Sequence, residues 1–189
     1  MSSLTLERQL DSIASTTGDS PKIAFFDLDG TLIAGYSILA LAWETARRGA
    51  ATGQMRQSAK LVRDLLRQRA KSSGSNYHRI VRRLTRVLTD TEESALTELG
   101  AAAYSNTLAR SLYREAIALV EAHRAAGQHL VIVTAATRYQ AEPVARVLVI
   151  DEICCTRLEY VDGRISGKDV APMCYGEGKS QADRRVCKQ

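Results

Sequence analysis

Between Lys22 and Phe26 the chain runs apolar behind Pro21, rich in β-branched and aromatic side chains, and stops abruptly at an acid, Asp27. A short run of this kind predicts a buried strand. His129–Thr134 (HLVIVT) predicts a second and Glu152–Thr156 a third. Most of the sequence between the first two is helical in character. Strands separated by helices predict an α/β fold with a Rossmann-like parallel sheet and helices on both faces. Ligands in such sheets bind beyond the carboxyl ends of the strands. Asp27 and Thr134 each end an apolar strand, so both are expected in one crevice. A length of 189 residues fits one domain, or one domain carrying an insertion.

Residues 1–20 are polar and read as a mobile lead-in with one short amphipathic stretch. From 36 to 126 there are few breakers, and apolar residues recur at helical spacing. Ile38, Leu39, Leu41, Ala42 and Ala46 form one such face. Leu61, Val62, Leu65 and Leu66 form another. Ile80, Val81, Leu84, Val87 and Leu88 form a third, backed by a basic stripe of Arg79, Arg82, Arg83 and Arg86. Residues 71–76 read as a loop, and the acids of 89–93 suit a helix start. One long helix is expected from about Thr107 to Ala126, stopped by Gly127. Another is expected over 135–149, where Pro143 is tolerated only in the first turn or at a break. Asp162-Gly163 marks the turn of a hairpin over 160–165.

The net charge of +5 is unevenly spread: 47–86 holds twelve Lys and Arg against one acid, Asp64. Such a block attracts anions, although charge runs are more often plain solvated helix faces. Nucleic acid is disfavoured as a partner, because Tyr77 is the block's single aromatic residue and stacking surfaces need several. No apolar run approaches the roughly 20 residues needed to span a bilayer. The N-terminus lacks the basic-then-apolar pattern of an export signal. Cys154, Cys155, Cys174 and Cys187 have no metal-ligand spacing and read as reduced thiols, which fits a cytoplasmic setting.

The chemistry concentrates in Asp27-Leu28-Asp29-Gly30-Thr31. Two carboxylates two residues apart, leaving a buried strand into a glycine turn, suit phosphoryl transfer. The first can attack phosphorus; the second can protonate the leaving oxygen and later activate water. Gly30 allows the sharp turn that points amides at an anion, and oxygen ligands here suit Mg²⁺. Thr134, with the amides of Ala135 and Ala136 at an expected helix start, offers a phosphate cradle. Alone, a threonine there is more often an ordinary helix cap. Lys179, in Gly176-Glu177-Gly178-Lys179, offers a cation where glycines permit close approach.

These three elements in this order resemble the haloacid dehalogenase superfamily, and within it subfamily IB, the phosphoserine-phosphatase-like hydrolases with a helical cap between the first two motifs. The resemblance runs from about Lys22 to the C-terminus. It implies Asp27 as nucleophile and Asp29 as acid/base. It further implies Thr134, Ala135 and Lys179 around the phosphate, and Mg²⁺ on the Asp27 carboxylate and the Asp29 backbone carbonyl. The cap would be 36–111, and the core 21–35 with 112–189.

Two departures qualify the match. Ile33-Ala34-Gly35-Tyr36-Ser37 lacks the acid that reads a substrate amino group in phosphoserine phosphatases, which disfavours phosphoserine. The basic, acid-poor cap suits a more anionic or lipid-like phosphate, and the expected substrate is a small or lipid-like phosphorylated metabolite. The family's fourth motif, which completes the metal site, should follow the Lys179 helix, and the chain stops at Gln189. The expectation is a core incomplete at its C-terminus, with weakened Mg²⁺ binding and an open sheet edge at the Asp27 strand that invites self-association. Two other readings follow: a non-catalytic anion-binding module, and a peripheral protein touching anionic membrane surfaces through its basic cap.

Overall fold

The computed structural model describes residues 3–15, 22–51, 63, 77–171 and 174. The second apolar face expected from the sequence (Leu61 to Leu66), residues 71–76 and Lys179 lie outside the described residues.

The expected α/β class is what the chain adopts. Strands β1 (Ile23–Phe26), β2 (His129–Thr137), β3 (Glu152–Val161) and β4 (Arg164–Val170) form one sheet in the order β1-β2-β3-β4, flanked by helices. β1, β2 and β3 are parallel, whereas β4 returns antiparallel to β3, so the sheet is mixed. The cause is the Asp162-Gly163 turn, where both residues take positive φ (50° and 76°). Glu152–Thr156 and the hairpin, read separately from sequence, are thus one continuous strand and its return.

The helices are α1 (Ser3–Ala14), α2 (Ser37–Ala51), α3 (Tyr77–Val87), α4 (Glu93–Asn106), α5 (Arg114–Ala125) and α6 (Arg138–Leu148). The segment expected as a lead-in is helical over Ser3–Ala14 and packs against α5, with Ile13 buried. α5 and α6 pack on β2, and α6 also on β3. The main core joins Ala24, Phe26, Leu130 and Ile132 from the strands to Val120 of α5 and Val144 of α6. Val131 and Val133, of opposite parity on β2, form a smaller cluster with Cys174.

The single helix expected over 107–126 is broken. A 3-10 turn at Leu108–Ser111 gives way to extended backbone at Leu112 and Tyr113 before α5 begins. Tertiary pairing overrides helix propensity here: Ala34 N donates to Ser111 O at 2.7 Å, Tyr113 N donates to Leu32 O at 3.0 Å, and Leu112 bridges Ile33. The chain leaving β1 and the chain returning to α5 therefore run side by side.

Pro143 lies inside α6, beyond the first turn, without ending the helix. It has no N–H to give the Tyr139 carbonyl four residues back. That carbonyl faces Gly100 of α4, so closely that a Cβ at position 100 would stand 2.1 Å from the oxygen. Bare backbone on α4 thus fits the interruption on α6.

The β3–β4 hairpin reaches back to the segment between the strands. α3 packs on β4, and Arg82 meets Asp169 at 3.3 Å, so part of the basic stripe is engaged within the molecule. The 3.0 Å bond from Ile165 N to Thr91 O and the 2.8 Å bond from Asp90 N to Ile165 O tie the α3–α4 loop to β4. Among the described residues no helix is long and apolar enough to cross a membrane.

Candidate active site

β1 ends at Phe26, and the next seven residues wrap into a compact loop. Leu28, Leu32 and Ile33 are fully buried and anchor it. The Leu28 carbonyl accepts the amides of Leu32 (3.0 Å) and Ile33 (3.1 Å), while Gly30 N donates to Ile33 O at 2.9 Å. Closing so short a loop puts Gly30 at φ 79°, where a side chain would be strained. The apolar anchors hold the intervening acids at the surface of the strand end. Asp27 is half-buried, and its Oδ1 accepts the Leu28 amide at 2.9 Å. Asp29 Oδ1 accepts the amide of Ser37, the first residue of α2, at 2.8 Å. One carboxylate therefore stands at a strand end and the other against the positive end of a helix, where negative charge is favoured.

In the β1–β2 register Phe26 pairs with Ile132, so one residue further along Asp27 stands level with Val133, next to Thr134. The first two sequence-predicted elements thus lie side by side, Asp27 just past the end of β1 and Thr134 within β2. Thr134 is buried, and its Oγ1 accepts the Ala136 amide at 3.1 Å. The surrounding geometry differs from expectation: β2 continues through Ala135 and Ala136 to Thr137, and the helix starts at Arg138. β3 holds this extension, with Thr137 paired to Thr156 and the Thr156 hydroxyl donating to Ala135 O at 2.8 Å. The helix cap is Thr137 rather than Thr134.

Sequence reasoning missed Gln140 and Ser37. Buried Gln140 accepts the Thr137 amide (2.9 Å) and hydroxyl (2.8 Å) through Oε1, and its Nε2 donates to Ser37 Oγ at 3.0 Å. A polar chain consequently runs from Asp29 through Ser37 and Gln140 to Thr137, joining the acidic loop, α2, α6 and the end of β2. Thr137-x-x-Gln140 has the spacing of a capping box, which is a usable sequence signal. Nothing local singled out Ser37.

The donors that could hold a metal, the Asp27 carboxylate and the Asp29 backbone carbonyl, are oxygens, and hard oxygen donors suit Mg²⁺ in kind. Among the described residues no cluster of three or more His, Cys, Asp or Glu is placed to bind a metal.

Past the end of β2 and against β3, a pocket of about 260 Å³ is lined by Glu93, Arg138, Tyr139, Arg157 and Tyr160 among others. The Tyr139 and Tyr160 hydroxyls meet there, and Glu93 accepts from Arg138 at 3.2 Å. Burial, then the negative charge of Glu93, pushes the Tyr160 phenol up to about 12 against the pull of Arg138. Burial likewise raises the Cys155 thiol to about 11, so it is not a reactive thiolate.

The parallel part of the sheet thus carries paired acids past the end of β1, beside a buried threonine hydroxyl on β2. The profile of the haloacid dehalogenase-like hydrolases matches residues 24–189, and the chain belongs to that family. It is 30% identical over 166 residues to a Mycobacterium tuberculosis protein named as a probable phosphatase, covering 86% of this chain and 56% of that one. It is 27% identical over 167 residues to the inhibition of morphological differentiation protein of Streptomyces azureus, covering 86% and 58%. The chain thus spans little more than half the length of these relatives. A Bordetella pertussis protein of unknown function shares the fold at a TM-score of 0.75 and 25% identity, covering 89% of this chain and 74% of that one. A phospho-aspartyl intermediate analogue of phosphoserine phosphatase shares the fold at a TM-score of 0.57 and 18% identity, covering 90% and 72%.

Proposed function

We propose that the chain carries the catalytic machinery of a phosphatase that hydrolyses a small or lipid-like phosphomonoester through an aspartyl-phosphate. Residues 36–111 would act as the cap, on a core of 21–35 and 112–189. The observation that carries the reading is the placement of Asp27 and Asp29: one at the end of β1, the other held by the α2 amide, with the buried Thr134 close by within β2. Membership of the hydrolase family supports it.

In this mechanism an Asp27 carboxylate oxygen attacks phosphorus and the ester P–O bond breaks. Protonated Asp29 gives its proton to the departing alkoxide. Water then attacks the phosphoryl group and loses a proton to Asp29; the bond to Asp27 breaks, and inorganic phosphate leaves. The Thr134 hydroxyl, the Ala135 amide and Lys179 are assigned to the phosphoryl oxygens. Mg²⁺ on the Asp27 carboxylate and the Asp29 carbonyl would supply neutralisation of phosphoryl charge.

The test is phosphate release from a generic aryl phosphate with and without Mg²⁺, beside Asp27→Asn. The expected outcome is Mg²⁺-dependent turnover that Asp27→Asn abolishes and Asp29→Asn lowers by roughly 10²–10⁴-fold. A folded chain that binds phosphate analogues without turnover would overturn the reading in favour of an anion-binding module.

A further inference from the structure

A cleft of about 400 Å³ opens beside the acidic loop between α2 and the 3-10 turn, and its walls include Ala34, Tyr36, Leu39, Trp43, Leu108 and Ser111. No charged side chain among the described residues lines it. Its aromatic walls are wet: Tyr36 is 45% exposed and Trp43 59%. Tyr36, Leu39, Ala40 and Trp43 follow the i, i+3, i+4, i+7 spacing of one helix face, while Ile38, Leu41 and Ala42 on the other face are buried in the core. The exposed aromatics are therefore not needed to seat α2.

The cleft is also tied to the acidic loop through one short segment of backbone. Its wall 34–36 is the segment between Ile33, which bridges Asp29, and Ser37, whose amide holds the Asp29 carboxylate. Both ends of that wall are thus tied to the residue assigned to protonate the leaving group. A leaving group that accepts a proton from Asp29 departs beside an uncharged aromatic surface. Such a surface offers no ion-pair partner to an ammonium or carboxylate and favours burial of alkyl or aryl groups.

We propose that this cleft binds the apolar portion of the substrate, making the preferred substrate an alkyl or aryl phosphomonoester rather than a zwitterionic one. The proposal rests on the phosphatase reading for the position of the phosphate, and is tested separately from it. Trp43 is the chain's single tryptophan, so its fluorescence reports on the cleft directly. The unmodified chain would be titrated with ethyl-, butyl-, hexyl- and octylphosphonate, which cannot be hydrolysed, and with octanol. The expected result is a blue-shifted Trp43 signal and a Kd at least tenfold lower for octyl- than for ethylphosphonate, since each buried methylene contributes up to roughly fourfold. Octanol should bind more weakly than octylphosphonate. In Trp43→Ala, a change at an exposed position, calorimetry should show the chain-length dependence flattened. A Kd indifferent to chain length, or octanol binding as tightly as octylphosphonate, would overturn the proposal.

Hydrolysis of octyl and ethyl phosphate is measured alongside. Chain-length-dependent binding with neither ester hydrolysed would keep the cleft assignment and sink the phosphatase reading. Equal kcat/KM for both esters, with a flat Kd series, would do the reverse.

Discussion

Asp29 joins a structural task to its assigned chemical one, and the two can be separated. Its Oδ1 accepts the Ser37 amide at the start of α2, as a capping side chain does. Asp29→Asn keeps an oxygen acceptor and should unfold in urea within about 0.5 kcal/mol of the parent, while turnover falls. Asp29→Ala loses the acceptor and should cost about 1 kcal/mol besides. Tyr160 gives a second prediction at this scale. Its pKa rises from 10 in the unfolded chain to about 12 when folded. The folded state therefore holds the proton more tightly, and this contribution is fully present below pH 10 and lost as pH rises towards 12. Urea midpoints taken across that window should fall with pH, and the slope should shrink in Tyr160→Phe. The placement of Asp27 and Asp29 past a buried strand was legible in the sequence because its signal is local: an apolar strand, two acids and a glycine within a few residues. Ser37 and Gln140 were not singled out because their roles come from a hydrogen bond between α2 and α6 across 103 positions of sequence.

Among the elements, the α4–α6 contact has the least tolerance. Gly100→Ala would push a methyl into the Tyr139 carbonyl at 2.1 Å, a backbone atom that cannot swing aside. The expected cost is about 1–3 kcal/mol, read as a lowered urea midpoint. The same elements show where sequence reasoning stopped. Apolar runs located β1 and β2 and the Asp-Gly pair located the hairpin, because buried strands and tight turns are written in neighbouring residues. The break at 112–113 was invisible, since its cause is the distant backbone of Leu32–Ala34. The reach of β2 to Thr137 was hidden for a similar reason: its partner, Thr156, lies on another strand.

At the scale of the molecule, the segment between β1 and α5 is fastened to the sheet at several places. α4 packs on α6, α3 on β4, and the α3–α4 loop exchanges backbone hydrogen bonds with Ile165. Such fastening predicts one cooperative transition, with far-UV circular dichroism and tyrosine absorbance giving the same urea midpoint. The exposed Arg164 pairs with Asp90 and Glu92 should matter little: Arg164→Ala should shift stability by no more than about 1 kcal/mol, and less in high salt.

The 2.8 Å bond from Ser37 to Asp29 has a mechanical consequence. α2 is at once the lever arm of the aromatic cleft and the bracket of a carboxylate. A guest that tilts that arm must turn the bracket with it, because helices move as rigid rods. With the cleft and Asp29 in the roles proposed for them, recognition and proton transfer would be geared together on a single shaft, with the Ser37 end of α2 as its bearing.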